Sequence, residues 1–505
     1  MAEARLRAVR ATYRARGERR AGDLGYAVYV AGFVALVAAA PAARALLLAL
    51  TAPDALRALH APQAASVTGV VAGAALAALA ILGTVRGPAH YPAFVAFLVT
   101  ETDLPRHLVL RRPFAVSTAV LAAGAALVSA VPVVALALGG QIAWAECLPP
   151  IAGAGAFGVV AAVVWAAGQR LGRGRAWMLS AGIAAAVGVT GVAPALLPAT
   201  PWGWLALLHP TADRTESGWP LAALCVAAVA ALVASRWLLA GMPGRELVQQ
   251  AQRWESAASA ATSGDPALAL STFRALPAVG RAWNAVATRA PLAAVFWRRD
   301  LVGAARTPVR FAGATLGLLA AGAATAAAAS LPETGWVLGA AAALLAFAAL
   351  GALGDGLRHA AEAFGAPQLY GLSRVSLVAH HAAFPLSAGL AIMLVGAGVA
   401  VALGSPATGL GLAASVAATV LLARVFDGAK GPLPPVLLAP IPTPVGDMSG
   451  AVVLVWQVDA VLLVAIAGAA VLAAFEGGGA PAAVVVAAGA ATSILLLAVF
   501  RYRRL

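Results

Sequence analysis

The 505-residue chain is 62% hydrophobic and only 11% charged, with a mean hydropathy of +0.89, which excludes an ordinary soluble domain, where about a quarter of residues carry charge. Repeated apolar runs of about 20 residues define a polytopic α-helical membrane protein, and the lack of apolar/polar alternation over about ten residues excludes a transmembrane barrel. The formal charge of +14 reads as arginine gathered in cytoplasmic loops, not as a nucleic-acid surface, and Lys430 is the one lysine.

Residues 1–23 place Arg7, Arg10 and Arg14 at helical spacing, with Leu6, Val9 and Tyr13 on another face. The pattern fits an amphipathic helix on the inner membrane surface, or else a basic tail obeying the positive-inside rule. Glu3, Glu18 and Asp23, with a long apolar run behind them, do not suit a cleavable signal peptide. Cys147 and Cys225 are isolated and make neither a disulfide framework nor a metal site.

About twelve spans are expected, six on each side of a polar middle. The first half reads Leu24–Ala40, Ser66–Val85, Phe114–Ala137, Ile151–Gly168, Ala176–Leu197 and Trp219–Ala240. The middle carries nine arginines from Arg245 to Arg310 against Glu246, Glu255, Asp265 and Asp300. The second half reads Phe311–Ser330, Trp336–Leu353, Ala382–Leu403, Thr408–Ala423, Ala451–Phe475 and Pro481–Phe500. The predicted organisation is therefore all-α: a six-helix half over 1–240 with its N-terminal amphipathic helix, a basic connector with a second amphipathic lead-in over 241–310, and a second six-helix half over 311–505.

An N-terminus inside puts every Lys and Arg except Arg44, Arg57 and Arg214 on one face, and Asp54, Glu146, Asp213, Glu216, Glu333 and Glu476 on the other. Both termini are accordingly expected in the cytoplasm, and the Ala-, Gly-, Val- and Arg-rich composition points to the plasma membrane of a high-GC bacterium. The halves repeat one order: basic amphipathic lead-in, two spans, long inner loop, two spans, second inner loop, two spans. The long inner loops are Arg86–Pro113 and Gly354–His381, and the second lead-in is Val295–Arg310. Even-numbered halves of this kind are related by an axis along the membrane normal.

In the first long loop an apolar helix from Pro92 ends in a polar stretch, then Leu104–Pro105–Arg106 opens a second short amphipathic piece containing Arg111 and Arg112. In the second half, RVFDGAKGPLPPVLLAPIPTPVGDMS runs from Arg424 to Ser449. Its plain reading is a stiff polyproline connector. The lead-ins and inner loops resemble the membrane subunits of ABC-2-type exporters. The Pro-rich string, ending Thr443, Pro444, Gly446 and Asp447, is similar to a group of two-half permeases from high-GC bacteria.

The resemblance implies a permease that exports an unknown substrate through the bilayer, energised by a separate ABC ATPase subunit docking on inner loops. The contacts it implies are Leu104, Pro105, Arg106, Arg111, Arg112, Arg358 and Arg374. It also implies no cofactor in this chain and ATP only through the partner. The sequence is consistent with that: a phosphate-binding loop needs Gly-x-x-x-x-Gly-Lys-Ser/Thr, and the lysine stands in Gly428–Ala429–Lys430–Gly431. No zinc-protease, serine-hydrolase or paired-aspartate signature suggests an enzyme. His380 and His381 are adjacent, face different directions on a helix, and are expected to cap the inner end of the ninth span.

Gln457 and Asp459 are the polar residues expected within a span, with no lysine or arginine at that depth. Asp459 is either a translocation residue or a buried carboxyl hydrogen-bonded to a neighbouring helix. Two other functions stay open. An ion-coupled twelve-helix secondary transporter lacks its Gly-x-x-x-Asp-Arg-x-Gly-Arg loop here, and a non-transporting scaffold has no residue in its favour.

Overall fold

The structure, a computed structural model, describes residues 29, 32, 40–210, 218–262, 269, 272–273, 277, 279–286, 289–331, 335–363, 371–430, 434–443 and 446–504. The expected amphipathic helix over 1–23, nearly all of the first expected span, and Pro444 lie outside these residues. The described chain is helical except for one two-residue hairpin, Pro442–Thr443 (β1) against Gly446–Asp447 (β2). Among the described residues eight helices are long and apolar enough to cross a membrane, so this is a multi-pass membrane protein. The outward face of one of them shows why a bilayer is required: Val116, Val120, Leu127 and Val128 on Arg106–Leu138 are all exposed, an apolar surface suited to hydrocarbon and not to water.

The chain divides into two compact units, Met1–Ser259 and Ala260–Leu505. The division falls inside the stretch expected as an independent connector, and each end of that stretch packs into its own unit.

In the first unit the helices are α1 (Ala40–Leu50), α2 (Pro53–His60), α3 (Pro62–Val85), α4 (Ala93–Thr100), α5 (Arg106–Leu138), α6 (Leu148–Val192), α7 (Pro201–Leu207), α8 (Trp219–Ala240) and α9 (Gly244–Thr262). Proline opens α2, α3 and α7, where its missing N–H removes no helical bond. Helix α6 is the hub, with α3, α5 and α8 packed on it. It consists of two helical segments, where two spans are expected, joined at Gly172 (φ 71°, ψ 169°), a conformation that glycine accepts without a Cβ penalty. Phe157 and Val187 share one core cluster, yet a straight helix would hold them about 45 Å apart. The helix therefore folds back at Gly172, and the polar stretch expected there as a loop is the bend itself.

Helix α5 corrects a second expectation. The short amphipathic piece at Arg106–Arg112 is not separate; it is the first two turns of the same helix that carries the apolar span.

In the second unit the helices are α10 (Leu292–Ala305), α11 (Pro308–Ala328), α12 (Gly335–Leu350), α13 (Asp355–Glu362), α14 (Arg374–Ala402), α15 (Thr408–Gly428) and α16 (Ser449–Arg504). Helix α12 bends by 65° into α13. Helix α15 is the most enclosed, lying against α14 and α16. Small residues set how closely these helices approach. A Cβ on Gly322 of α11 would overlap the Met393 backbone of α14, and one on Gly396 of α14 would overlap the Leu319 backbone of α11. Reciprocal glycines thus fix the α11–α14 crossing, where backbone-to-backbone dispersion replaces the hydrophobic drive that lipid cannot supply.

Helix α16 was also expected as two spans. It has one non-helical residue, Gly479 (φ 68°, ψ −165°), and Asp459 meets Arg501 in an ion pair, so the helix folds back there. About 20 residues, or roughly 30 Å of helix, separate Asp459 from the bend. That is the thickness of a hydrocarbon core.

Candidate functional site

The strongest concentration of charge in the described residues lies at the end of the α16 hairpin opposite its bend. Arg424, Asp427 and Lys430 recur every three residues along α15 and just past its end, which stacks them on one face. Arg424 Nη1 reaches Asp427 at 3.2 Å, and Lys430 Nζ lies 4.0 Å from the other oxygen of Asp427 and 2.8 Å from Asp459. Arg501 closes the series on the second Asp459 oxygen. The result is an alternating chain, Arg424–Asp427–Lys430–Asp459–Arg501.

Each cation of the chain also lies against an aromatic ring: Arg424 on Phe347 at 3.5 Å from the centroid, Arg501 on Phe426 at 3.6 Å and Lys430 on Trp456 at 5.0 Å. Backbone carbonyls, two of them in the last turns of α12 and α15, take further N–H groups. Arg424 binds Phe347 O in the last turn of α12, Arg501 binds Phe426 O at 3.3 Å, and Lys430 binds Gln457 O at 2.9 Å. Arg424 and Arg501 are favoured at the C-terminal ends of α12 and α15 because the unpaired carbonyls there are partly negative.

This geometry corrects the expectation for Asp459. No lysine or arginine is expected at its depth, yet Lys430 and Arg501 both pair with its carboxylate. Gln457 contributes its backbone carbonyl to the same cluster.

A second polar cluster joins α10, α13 and α14. His381 is 2% exposed and donates from Nδ1 to Asp300 at 2.7 Å, so it is a buried partner of α10 within α14 and not a cap at the end of the span. Its neighbour His380 packs on the same Phe296 of α10, at 5.3 Å between ring centroids, and binds Ser376 O at 2.6 Å. Nearby, Arg310 of α11 binds both Asp355 of α13, at 3.1 Å through Nη2, and Gly351 O at 2.7 Å. The bend between α12 and α13 is thus tied by side chains to α10, α11 and α14.

In the first unit uncharged groups do the corresponding work. Gln250 of α9 donates to Gly83 O at 3.2 Å and accepts from Gln169 of α6 at 3.0 Å, and both glutamines are 3% exposed. Trp254 Nε1 reaches Val85 O at 3.3 Å and Trp165 Nε1 reaches Arg86 O at 2.6 Å. These donors satisfy the orphan carbonyls at the end of α3. Burial first, and the charge of Arg86 second, hold His90 below the ordinary imidazole value.

The expected partner contacts separate into two kinds. Arg106 donates to Met242 O and so belongs to the internal structure of the first unit. Arg111 and Arg112 are exposed on the opening turns of α5, and Pro105 and Arg374 are exposed as well. Leu104 and Arg358 are half-buried.

Comparison of the chain with protein-family profiles, curated proteins and solved structures returned no match.

Asp447, from the Pro-rich string, has a local task. Its carboxylate accepts from Ile441 N at 2.8 Å, Ser449 N at 2.9 Å and Ser449 Oγ at 2.9 Å, clamping the β1–β2 hairpin to the start of α16. Thr443 and Gly446 are the paired residues beside the turn. The string is a hairpin and not an extended connector at this point. The Ser449 and Ile441 backbone donors and the Ser449 hydroxyl hold the Asp447 carboxyl below its usual value. A depressed folded value means that the clamp is complete above the ordinary aspartate range, near pH ~4, and is lost as pH falls through the lower folded value. Asp447→Ala is expected to speed amide exchange at Ile441 and Ser449, leaving exchange within α15 unchanged. Protection equal to that of the unmodified chain would count against the clamp.

Among the described residues no group of His, Cys, Asp and Glu is arranged to hold a metal ion.

Proposed function

We propose that this chain is the membrane-spanning permease subunit of an ABC-2-type exporter, energised by a separate ATPase. Its plan would be about twelve spans in two six-helix halves, with both termini on the cytoplasmic side of a bacterial plasma membrane. The two folded-back helices, α6 and α16, support this count, since each supplies two antiparallel spans.

One observation carries the reading. Helix α13, which bends off a span by 65°, is bound to the start of α11 through Arg310–Asp355 and packs against α10 and α14. A segment built this way transmits a push at the membrane surface directly to the helices that border it. An apolar loop with no side-chain ties would absorb such a push. The exposed Arg111 and Arg112 of α5 offer a charged surface of the kind that steers a partner.

The test is association of the purified chain with its cognate ATPase. Reversing Arg111 and Arg112 to Glu is expected to weaken that association at least about tenfold, with the unfolding of the chain unchanged. Undiminished binding would reject these contacts, and failure of any ABC ATPase to bind the unmodified chain would reject the exporter assignment. The second reading, an ion-coupled transporter, gains support from the buried Asp300–His381 pair, since coupled carriers hold ionisable groups inside the fold. Substrate movement driven by a proton gradient without ATPase would favour it.

A further inference from the structure

The cluster around His381 has chemistry beyond anchoring a helix. Arg299 Nη1 lies 3.1 Å from His381 Nε2. A guanidinium can only donate, so Nε2 must carry the lone pair, and the ring proton must sit on Nδ1, from which it is donated to Asp300. His381 is thus a neutral imidazole in one tautomer, held between a cation and an anion of the same helix, α10.

The surroundings enforce this arrangement. Phe296 stands edge-on to the ring at a centroid distance of 4.8 Å. Gly356 of α13 lies so close that a Cβ there would overlap both Asp300 Oδ2 and His381 Nδ1. Three elements therefore meet at one ring.

We propose that His381 is a proton-binding site whose occupancy shifts α10 on α14 by breaking one of its two ties to the ring and keeping the other. A proton from solvent adds to the Nε2 lone pair and forms an N–H bond; no bond within the protein breaks covalently. Nε2 then becomes a donor facing a donor, so the Arg299 hydrogen bond is lost and two positive groups confront each other. The Asp300 bond survives and becomes charge-assisted. The consequence is a change of partner on one side of the ring only, which pivots the α10 backbone at Arg299 about the fixed Asp300 contact.

The other charged groups on the packed elements are committed elsewhere. On α14, His380 binds Ser376 O; between α11 and α13, Arg310 pairs with Asp355; on α15, Arg424 pairs with Asp427. On α13, Arg358 is half-buried and His359 and Glu362 are exposed, while α13 meets the cluster through Gly356. On α10, Arg298 is exposed, and Arg306 binds Gly280 O and Trp283 O.

The experiment uses the full chain in lipid nanodiscs with Cys147 and Cys225 replaced by Ala and no ATPase present. Spin labels on cysteines introduced at Arg298 and Val375, exposed positions on α10 and α14, report the distance between the two helices. Taking the pH from about 8 to about 5 crosses the imidazole range. The distance is expected to change by about 2 Å, the scale of helix shifts at packed contacts. His381→Asn keeps a donor toward Asp300 without a titrating ring, and Arg299→Gln removes the cation from Nε2, so both are expected to abolish the response. If the buried His381→Asn substitution prevents folding, Arg299→Gln at its half-buried position carries the test. An unmodified chain that does not respond, or variants that respond as it does, overturn the proposal. The readout involves no partner, so its outcome is separate from that of the exporter assignment.

Discussion

Asp459→Asn is expected to lower the stability of the protein by about 2 kcal/mol, below the 3–5 kcal/mol typical of breaking a fully buried pair because Asp459 is partly exposed. The amide keeps the size of the side chain and removes the charge that Lys430 and Arg501 share. Lys430 is only 9% exposed, so its enclosed ammonium would keep only the distant Asp427, 4.0 Å away and shared with Arg424, beside a second cation. The loss comes mainly from those stranded cations and not from the aspartate itself. Adding Arg501→Gln and Lys430→Gln to Asp459→Asn should therefore recover part of the loss, a non-additivity expected of groups in one network. Unfolding by SDS titration measures it. Equal stability of Asp459→Asn and the unmodified chain would show that the cluster is solvated and contributes nothing.

Gly396→Val is expected to cost about 3 kcal/mol or more, or to prevent folding of the second unit, because overpacking against backbone leaves nothing that can rotate away. Its Cβ would overlap Leu319 O, and a branched side chain would force α11 and α14 apart along the Gly322–Met393 contact as well. Gly398, two residues on, has open space at the Cβ position. Gly398→Ala is the control and should change stability little, with a small gain from the better helix propensity of alanine. Thermal unfolding in detergent would separate the two. If both substitutions behave alike, the close crossing is not what holds α11 to α14.

The polar clusters were legible in the sequence to very different degrees. Asp459 stood out because a carboxylate in an apolar run is expensive, and that signal was sound. Its partners did not stand out, since Arg501 lies in a basic tail and Lys430 in a Pro-rich loop, each explained well enough by its own surroundings. The spacing of Arg424, Asp427 and Lys430 was the available clue, because residues three apart share a helical face. His381 was set aside as one of two adjacent histidines, and Asp300 as one acid among many arginines. No local pattern links residues 81 positions apart.

Composition and apolar period were enough to establish a many-helix membrane protein, because every backbone group in hydrocarbon must be satisfied within its own segment, and helices do this residue by residue. Segment-level features followed as well: α8, Trp219–Ala240, has the bounds its apolar run implies. Tertiary structure alone decided how the segments on either side of Gly172 and of Gly479 turn back on each other. Glycine permits both a loop and a folded-back helix, and contacts between Phe157 and Val187 or Asp459 and Arg501 select one. It also decided which of the 52 glycines are crossing points, since only a neighbouring backbone makes the missing Cβ matter. The same holds for charge. Sequence counts the cations and the carboxylates, but Coulomb attraction acts over a few ångströms, and those distances exist only once the helices are packed.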